Sequence, residues 1–535
     1  MKIKKVLLFT GLVGLSLPAM ASCGGVKIEA EEQEITVGGE TMQVYTIDGH
    51  YYRDVKCDNP ITSAQAIKNA ELAGGHLITC QKEDEFKLAL ALSKLHNTEI
   101  AMGAVKNPLD ETMYWVTGEK VEKGYKKLNK LLKEQTTAPT ESSYFLYELR
   151  ANQHLIFGKN KIYCGAIIFD EKYAGVDRYI IEWDAYGDIN AGRKFDFFAP
   201  KEVSTEDQFI DVVNKGYIGG VKLKNDITFT KKVFFNKAIP IDGNGHTLTF
   251  MDNSAGGNGT YLFAKLDKDV VVQNLTVVHN VESAPNDYIG GFVKDMFGTM
   301  QNVTYKGSVK ATSNAAKSRM GGLALNAYNG SSFINCTNEA DLFGGHDIGG
   351  IFAAAETGIV VRGCKNTGNI EGLNSLGGIG GKIIGKCSTE VYDCVNEGNI
   401  KGGKEVGGII GRVTMEHKST NLTDPNFYDH LKFENCDNKG DIVGTESVGG
   451  CFGAVHGESN VFMDLGVSHC NVYLTNCKNH GTVNGKTQIC DKEKYFGNIV
   501  GLFYADGAKT KAEDCLIEGV QTTYVGHYEK GSCTL

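Results

Sequence analysis

Three acidic side chains lie close together around residue 175 and could take part in metal or ligand binding. Asp170, Glu171 and Asp177 fall in the segment DEKYAGVD, where carboxylates near a turn offer oxygen ligands. Calcium takes about six to eight oxygen ligands, so three acids would supply part of a site, and the same pattern is typical of a solvated turn. Together with the aromatic residue Trp115, these acids form the candidate set for ligand binding.

A second group of residues with metal-binding chemistry lies around residue 475. Cys470 and Cys477 are seven residues apart, and His469 and His480 lie beside them. A structural zinc site needs four ligands that converge, and the neighbouring segments offer no such set. We therefore predict no metal ion and no other cofactor, with calcium as the one ion that the acidic segment could bind.

Two pairs of cysteines share the same spacing of seven residues, Cys387 with Cys394 and Cys470 with Cys477. An exported chain can form disulfides, but the chain has 15 cysteines, an odd number. Most of them occur once per repeated segment, which indicates a packing position rather than a disulfide framework. Whether either pair forms a disulfide stays open at this point.

Catalytic residues are not evident in the C-terminal two-thirds of the chain. Glycosidases need two carboxylates about 5 to 10 Å apart. Asp341, Glu371 and Asp441 lie near the second strand of their repeats, but Lys401 takes that register in another repeat. There is also no nucleophilic serine motif and no phosphate-binding loop, so we predict no catalytic residues.

Composition limits the classes of function. The chain has 535 residues, which is too long for one ordinary domain, and a net charge of -9, which is unlike the basic surface that nucleic-acid binding requires. Eight prolines leave no room for long proline-rich linkers, whereas most of the 66 glycines lie in the C-terminal two-thirds. We therefore expect a multidomain protein that does not bind nucleic acid.

The first residues have the pattern of an export signal. Three lysines precede the apolar run 6–17, which is too short to span a membrane. Cleavage after Ala21 would give a secreted protein, whereas the sequence Met-Ala-Ser-Cys resembles a bacterial lipobox with Cys23 as the lipidated terminus. We expect a signal peptide at 1–22, a lipid anchor at Cys23 that attaches the chain to a membrane, and an acidic tether at 23–44.

A repeated pattern dominates the C-terminal part. Asparagine follows a cysteine by two positions in five segments, a glycine comes two positions later in four of them, and a Gly-Gly pair closes most units. The cysteines are 28, 30, 42 and 41 residues apart, and such periods indicate stacked supersecondary units. The five pairs are Cys336 and Asn338, Cys364 and Asn366, Cys394 and Asn396, Cys436 and Asn438, and Cys477 and Asn479.

Three short strands per unit predict a right-handed parallel β-helix, because parallel strands cannot be joined by tight hairpins. Its repeated cysteines would form an interior ladder, and its asparagines a ladder of hydrogen bonds at the turns. Gly-Gly pairs would supply positive φ or close backbone approach at the corners. We place this β-helix at 203–520, with a capping helix at 204–216 and a C-terminal tail at 521–535.

The β-helix region is similar to two known kinds of sequence. The Cys-x-Asn-x-Gly units resemble the GLUG-type repeats of bacterial surface proteins, and IDGNGHTL at 241–248 resembles the first coils of pectate-lyase-like β-helices. The resemblance covers about 300 residues and is specific for architecture rather than activity.

Residues 45–184 differ in composition from the repeat region, with more charged residues, fewer glycines and no repeat. A helix, the sequence GGHL, a strand and a second helix beginning with Glu-Asp-Glu follow each other in 61–93. With the strand that contains Trp115 and the closing strands at 163–184, this order resembles the C-type-lectin-like fold, an α+β domain. The family's long disulfide and its acidic-Pro-Asn calcium motif are both missing here, so sugar or protein binding without calcium is what the resemblance implies. A linker would follow at 185–202.

These features together favour a bacterial cell-surface protein, displayed at the cell surface or outer membrane. We expect a lectin-like domain that binds a glycan or a host or bacterial surface protein, carried on a β-helix, and no enzymatic activity. Two alternatives remain. One is a carbohydrate-active β-helix enzyme, a polysaccharide lyase or glycosidase targeted by the lectin-like domain, and the other is a purely structural surface component.

Overall fold

The computed structural model divides into two compact units. The N-terminal unit spans residues 1–201 with 215–220, and the β-helix unit spans residues 202–214 with 221–535. Within them, the structure describes residues 31–37, 39–61, 63–96, 100–107, 109, 112–121, 153–157, 162–166, 176–191, 199–217, 219–250, 260–268, 270–283, 288–311, 319–356, 358–385, 389–416, 429–458, 470–487, 489–491, 494–505, 515–516, 525–529 and 533–534.

In its described residues, the N-terminal unit contains a nine-stranded, mainly antiparallel sheet and two helices. The helices follow each other in the predicted order, and the acidic residues at 83–85 occupy the first turn of the second helix, where they complement its dipole. This helix ends at His96, three residues beyond the segment in which it was predicted. The elements are β1 Glu31–Val37, β2 Glu40–Ile47, β3 His50–Ile61, α1 Ser63–Leu72, β4 His76–Leu77, α2 Glu83–His96, β5 Ile100–Lys106, β6 Met113–Trp115, β7 Gln153–Phe157, β8 Ile162–Ala166, β9 Val176–Trp183 and a 3-10 turn Tyr186–Asp188.

The predicted tether at 23–44 is partly incorrect. Strands β1 and β2 form an antiparallel hairpin with Glu31 opposite Thr46, and β2 continues the sheet through β3. Alternation buries Ile35, Met42 and Val44 in the core of the unit. The sheet therefore begins at residue 31, inside the segment assigned to the tether.

The β-helix unit is built from parallel strands that stack coil upon coil, as the repeat predicts. One sheet receives two or three short strands or one long strand from each coil, and two further sheets receive one strand from most coils. The first sheet comprises Lys201–Val203, Val221–Leu223, Ile227–Thr228, Ile241–Asp242, Thr247–Phe250, Val271–Ser283, Thr299–Ala311, Ser332–Ile334, Thr337–Asn338, Asp341–Phe343, Val360–Arg362, Lys365–Asn366, Ile370–Glu371, Thr389–Tyr392, Val395–Asn396, Ile400–Lys401, Asp429–Glu434, Asp437–Asn438, Ile442–Val443, Cys470–Thr475 and Lys478–Asn479.

The other two sheets complete each coil. Their register repeats from coil to coil, so that Gly321, Gly349, Gly377 and Gly407 lie in one row. The right-handed sense of the coil stays a prediction. The second sheet comprises Phe263–Leu266, Val293–Met296, Ala324–Ala327, Phe352–Ala355, Gly380–Gly385, Ile410–Glu416, Phe452–Glu458, Val500–Ala505 and Val525–Glu529, and the third Tyr288–Gly290, Arg319–Gly321, His346–Gly349, Asn374–Gly377, Lys404–Gly407, Glu446–Gly449, Cys490–Asp491 and Phe496–Gly497.

Both ends of the β-helix differ in detail from the sequence expectation. At the start, α3 (Glu206–Asn214) packs Phe209 against the rings of Phe229 and Phe235, as expected for a helix that covers the first coil. At the other end, Val525–Glu529 pairs in parallel with Val500–Ala505, and Cys515–Leu516 with Cys533–Thr534. Residues 521–535 are therefore not simply a tail, because they contribute strands to the stack.

The predicted asparagine ladder is present and is buried. Each side-chain amide donates to the asparagine of the next coil: Asn338 to Asn366, Asn366 to Asn396 and Asn396 to Asn438, all at 2.7 Å. Asn438 continues the ladder to Asn479 at the same distance. Every amide also donates to a backbone carbonyl two residues further on, so the ladder satisfies its own buried polar groups.

The Gly-Gly pairs make room for this ladder. A Cβ atom on Gly350 would lie 2.6 Å from the Asn366 Oδ1, and one on Gly378 would lie 2.3 Å from the Asn396 Oδ1. Positive φ, the alternative reason for a Gly-Gly corner, occurs at the earlier pair Gly290 and Gly291. Close approach rather than backbone conformation therefore explains the pairs that face the ladder.

The cysteine ladder lies inside the coils. Cys336, Cys364, Cys394 and Cys436 are buried free thiols, and each donates to a backbone carbonyl, for example Cys394 Sγ to Tyr392 O at 3.2 Å. Cys477 is also a free thiol in the same row. Cys394 and Cys477 therefore take no part in the disulfides that the spacing left open, while Cys387 lies outside the described residues.

A buried histidine makes the β-helix sensitive to acid. His279 stacks on Phe250 with ring centroids 4.1 Å apart, and its Nδ1 lies 2.9 Å from the hydroxyl of Tyr305. Burial lowers the pKa of His279 to about 3, because the charged imidazolium would lose its hydration. The unfolded chain binds this proton near pH 6.5, so the stabilising effect is complete above that pH and is lost as the pH falls from 6.5 towards 3.

We expect the β-helix to lose about 2.5 kcal/mol of unfolding free energy through His279 alone between pH 7 and pH 4.5. The His279→Gln variant keeps an acceptor for Tyr305 and removes this titration, so its pH dependence will be shallower by that amount. Urea unfolding followed by circular dichroism at the two pH values measures the difference. Equal losses in the parent and the variant would contradict the assignment.

Candidate functional site

A polar cleft opens on the N-terminal unit and brings together side chains from four separate segments. Its volume is about 320 Å³. Strand β9 supplies the central residue, Glu182, and the neighbouring strands supply the residues on either side of it. The described residues that line the cleft are His50, His76, Thr79, Gln81, Lys82, Glu85, Thr117, Glu119, Glu182 and Asp184.

Strand register explains why these residues meet. Glu182 lies opposite Tyr52 of β3 and opposite His76 of β4, so it has a cross-strand neighbour on each side. His50 lies two residues before Tyr52, and Asp184 lies two residues after Glu182. Alternation therefore places both side chains on the same face as Glu182. Residues more than 100 positions apart are thereby gathered into one cluster.

Glu182 is the most heavily bonded residue of the cluster. Its Oε2 accepts from the backbone N–H of Thr79 at 3.1 Å and from the Thr79 hydroxyl at 3.3 Å. Its Oε1 lies 3.1 Å from His50 Nδ1 and accepts from the Tyr52 hydroxyl at 3.3 Å. A carboxylate that is 2 % exposed is thus fixed in position from two sides.

A second buried carboxylate lies beside the first. Glu85, in the first turn of α2, accepts from the Tyr52 hydroxyl at 3.2 Å and from the backbone N–H of Lys82 at 2.8 Å. The Tyr52 hydroxyl therefore lies between Glu85 and Glu182. Ligand atoms of His50, Glu85 and Glu182 all lie within 4.8 Å of one another.

The pKa values of the two carboxyl groups are shifted in opposite directions. Burial raises the pKa of Glu85, and the nearby charge of Glu182 raises it further. Burial would also raise the pKa of Glu182, but the hydrogen bond from His50 and the positive charge of His76 outweigh burial and lower it. Glu182 is therefore the group that carries the negative charge of the pair.

Two histidines complete the polar cluster. His76 is buried, and its Nδ1 donates to the Leu77 carbonyl at 2.9 Å, while its Nε2 lies 3.4 Å from Asp184 Oδ1. His50 is 27 % exposed, and its pKa is raised by the hydrogen bond to Glu182. The cleft thus contains nitrogen and oxygen donors at short distances from each other.

The residues predicted from the sequence are not brought together here. Trp115 is fully buried in the core cluster of the unit, so its indole ring is not accessible to a ligand. The prediction that Trp115 is a binding residue is therefore wrong. Asp177 is exposed on β9, five residues before Glu182. Asp170, Glu171 and Cys23 lie outside the described residues.

Sequence reasoning missed the central residues of the cleft, although two of them stand in motifs that it used. His76 belongs to GGHL, and Glu182 belongs to YIIEWD. A carboxylate inside an otherwise apolar strand must find partners when it is buried, and this was the available signal. The identity of those partners depends on pairing between distant strands.

The cysteine and histidine group around residue 475 does not converge in the part of the chain that the structure describes. Cys477 Sγ donates to backbone carbonyls in the interior row, whereas the ring of His480 is largely exposed and its Nδ1 lies 2.7 Å from Asp437 Oδ1. The two side chains therefore point to opposite faces of the coil wall. His469 lies outside the described residues, as does the side chain of Cys470.

Several outer-face carboxylates of the described coils form ion pairs with lysines of neighbouring coils. Glu371 pairs with Lys401 at 2.9 Å, and Glu397 pairs with Lys365 at 2.8 Å and Lys439 at 3.3 Å. These ion pairs join neighbouring coils. The position shared by Glu371 and Lys401 thus contributes to stacking.

A larger polar network lies where the second and third sheets meet. Arg319 donates to Asp347 at 3.2 Å and to Asn326 at 2.9 Å, and Asn326 donates to Asp295 at 2.8 Å. Both carboxylates are therefore engaged by donors. This arrangement differs from the two free carboxyl groups that acid–base hydrolysis of a glycosidic bond requires.

One comparison with known proteins matches the start of the β-helix. Residues 200–316 match the family described as a pectate lyase-like adhesive domain. No curated protein matches the chain. In the described part of the chain, no helix combines the length and apolar character needed to cross a membrane.

Proposed function

We propose that the protein is an exported adhesion protein of a bacterial cell surface. The observation that carries the proposal is the match of residues 200–316 to an adhesive domain family, at the place where the structure begins to wind into parallel coils. A domain of this kind serves attachment. The N-terminal unit then supplies specific recognition of a glycan or of a surface protein on a host or a neighbouring bacterium.

Attachment to the membrane through Cys23 is part of this proposal. The lipobox-like sequence before Cys23 would give a lipid-anchored terminus, and cleavage after Ala21 would give a secreted form. The Cys-x-Asn-x-Gly units resemble GLUG-type repeats of bacterial surface proteins, which supports display outside the cell. The same ladder contacts that stack the coils make this part suitable as a scaffold.

Recognition is assigned to the N-terminal unit because of its resemblance to the C-type-lectin-like fold. The order of α1, β4 and α2 agrees with the helix, strand, helix order on which the resemblance rests. The polar cleft offers side chains at its rim that can reach a ligand, among them Gln81, Thr117 and Glu119. Hydroxyl and amide groups of this kind suit the hydroxyl groups of a sugar.

An enzyme of the polysaccharide lyase or glycosidase class is the second candidate. The described coils bear carboxylates that are engaged in ion pairs or hydrogen bonds, so this candidate has less support. A purely structural surface component is the third. Binding measurements combined with an assay for sugar products distinguish the three candidates.

The test uses the full mature chain on a glycan array and on immobilised bacterial and host surface proteins, with calcium and with a chelator. We expect saturable binding to one ligand class that is weakened at least about tenfold by combining Gln81→Ala with Thr117→Ala, since such hydrogen bonds contribute about 1 kcal/mol each. The control variant Lys401→Ala removes an exposed ion pair of the β-helix and should bind normally.

Three results would contradict the proposal in whole or in part. Release of new reducing ends or unsaturated sugars from a bound polysaccharide would favour the enzyme. Absence of any ligand across both surfaces would favour the structural component. Equal binding by the cleft variant and the parent would place recognition elsewhere in the chain.

A further inference from the structure

Three donor atoms of the cleft are close enough to share one metal ion. One ligand atom each of His76, Glu182 and Asp184 lies within 4.8 Å of the other two. The Nε2 of His76 lies 3.4 Å from Asp184 Oδ1, and His50 Nδ1 lies 3.1 Å from Glu182 Oε1. Around a tetrahedral zinc ion with bonds of about 2.0 to 2.1 Å, neighbouring ligand atoms are about 3.3 Å apart.

Hydrogen bonds outside the cluster hold the donors in position. His76 donates its Nδ1–H to the Leu77 carbonyl at 2.9 Å, so Nε2, 3.4 Å from Asp184 Oδ1, is the nitrogen that can bind a metal ion after losing its proton. Thr79 holds Glu182 through Oε2, so that Oε1 is the oxygen that faces His50. Metal-binding histidines and carboxylates are oriented by such partners.

The charge of the cleft favours a cation. Four of its lining residues are acids, and Lys82 is the one lysine or arginine among the described lining residues. The Lys82 ammonium lies 3.6 Å from Asp48, outside the cluster, and both side chains are exposed. Two buried carboxyl groups, Glu85 and Glu182, therefore have mainly histidine to balance them.

We propose that His76, Glu182 and Asp184 bind one first-row divalent cation of the zinc class, with His50 as the hydrogen-bond partner that positions Glu182. An imidazole nitrogen favours zinc, nickel or cobalt over calcium and magnesium, which prefer oxygen ligands. Asp184 is 42 % exposed and borders the cleft, so the ion reaches the site from solvent. The site is distinct from the acidic segment 170–177 that the sequence singled out.

Equilibrium dialysis of the full mature chain against zinc, without a histidine tag, tests the proposal. We expect one zinc ion per chain, unaffected by millimolar calcium. The variants His76→Gln and Asp184→Asn each alter a ligand, and we expect each to weaken binding at least about 100-fold. Urea unfolding followed by tryptophan fluorescence checks that both variants keep the N-terminal unit folded. The control variant His480→Gln disrupts a histidine–carboxylate pair of the β-helix and should bind zinc as the parent does.

Cobalt provides a second readout that excludes the cysteines as ligands. Cobalt bound by nitrogen and oxygen donors lacks the thiolate charge-transfer absorption in the near ultraviolet that a cysteine site would show. Unchanged zinc binding in both ligand variants, a thiolate signal, or equal weakening in His480→Gln would overturn the proposal. Each of these outcomes leaves the adhesion proposal unaffected, because that proposal does not depend on a metal.

Discussion

Replacing Asn396 by alanine will destabilise the β-helix by about 3 to 5 kcal/mol. The side-chain amide donates to Gly398 O at 2.8 Å and to Asn438 Oδ1 at 2.7 Å, and its oxygen accepts from Asn366 at 2.7 Å. All three hydrogen bonds are buried, so the partner groups cannot form replacement hydrogen bonds with water when the amide is removed. The truncation therefore costs the hydrogen bonds and leaves polar groups unsatisfied within the stack.

Two spectroscopic probes separate this effect from the N-terminal unit. Both tryptophans of the chain, Trp115 and Trp183, lie in the N-terminal unit, so their fluorescence follows that unit alone. Asn396→Ala should move the circular dichroism transition in urea and leave the fluorescence transition in place. The exposed residue Asn399 of the same coil donates no buried bond, and Asn399→Ala should cost less than about 1 kcal/mol. Equal effects of the two substitutions would refute a special role for the ladder.

The Gly398→Ala substitution will destabilise the same coils by at least about 3 kcal/mol, or prevent them from folding. A Cβ at this position would lie 2.0 Å from the carbonyl oxygen of Gly368 and 2.8 Å from Asn366 Nδ2. Neither atom is free to move, because the carbonyl belongs to the neighbouring coil and the amide to the ladder. Relief of the clash would require the two coils to separate.

Gly187→Ala is the matched control for the loss of glycine as such. No heavy atom lies within 4 Å of a Cβ at Gly187, and the residue has no positive φ. We expect a change of at most about 0.5 kcal/mol in the fluorescence transition. A mild effect of Gly398→Ala in the dichroism transition would show that neighbouring coils are less closely packed than the structure indicates.

The sequence predicted the interior of the β-helix well, because repetition exposes positions that must be equivalent. Cys394 and Asn396 recur at a fixed spacing, and stacking turns such a row into a ladder. The sequence did not predict why glycine is required at the Gly-Gly pairs, because close backbone approach and positive φ both select glycine. The contact of Gly378 with Asn396 is visible only when the coils are stacked.

Both ends of the folded region were harder to predict. Residues 31–44 and 525–529 lack a repeat, and each joins a sheet through pairing with a neighbouring strand. Short polar segments of this type read as tether or tail unless the partner strand is known. The core of the β-helix was thus identified more reliably than its limits.

The cleft shows the same limitation at the level of single residues. Glu182 and Tyr52 are 130 positions apart, and their meeting depends on the register between β3 and β9. Trp115 was selected because it stands in the strand that resembles the tryptophan-containing region of C-type-lectin-like domains, but its ring fills the core. Isolated residues in the sequence do not reveal which strands will lie side by side.

Successive coils of the β-helix differ in length without a change of register. Asn366 and Asn396 are 30 positions apart, whereas Asn396 and Asn438 are 42 apart, yet the ladder distance is 2.7 Å in both cases. The additional residues, such as 417–428 and 459–469, follow a strand of the second sheet and precede the next strand of the first sheet. The strand ends that flank these insertions therefore lie along one edge of the β-helix. Insertions and deletions at this edge can therefore accumulate in evolution at little cost to folding, and the same positions are suitable for grafting foreign peptide epitopes.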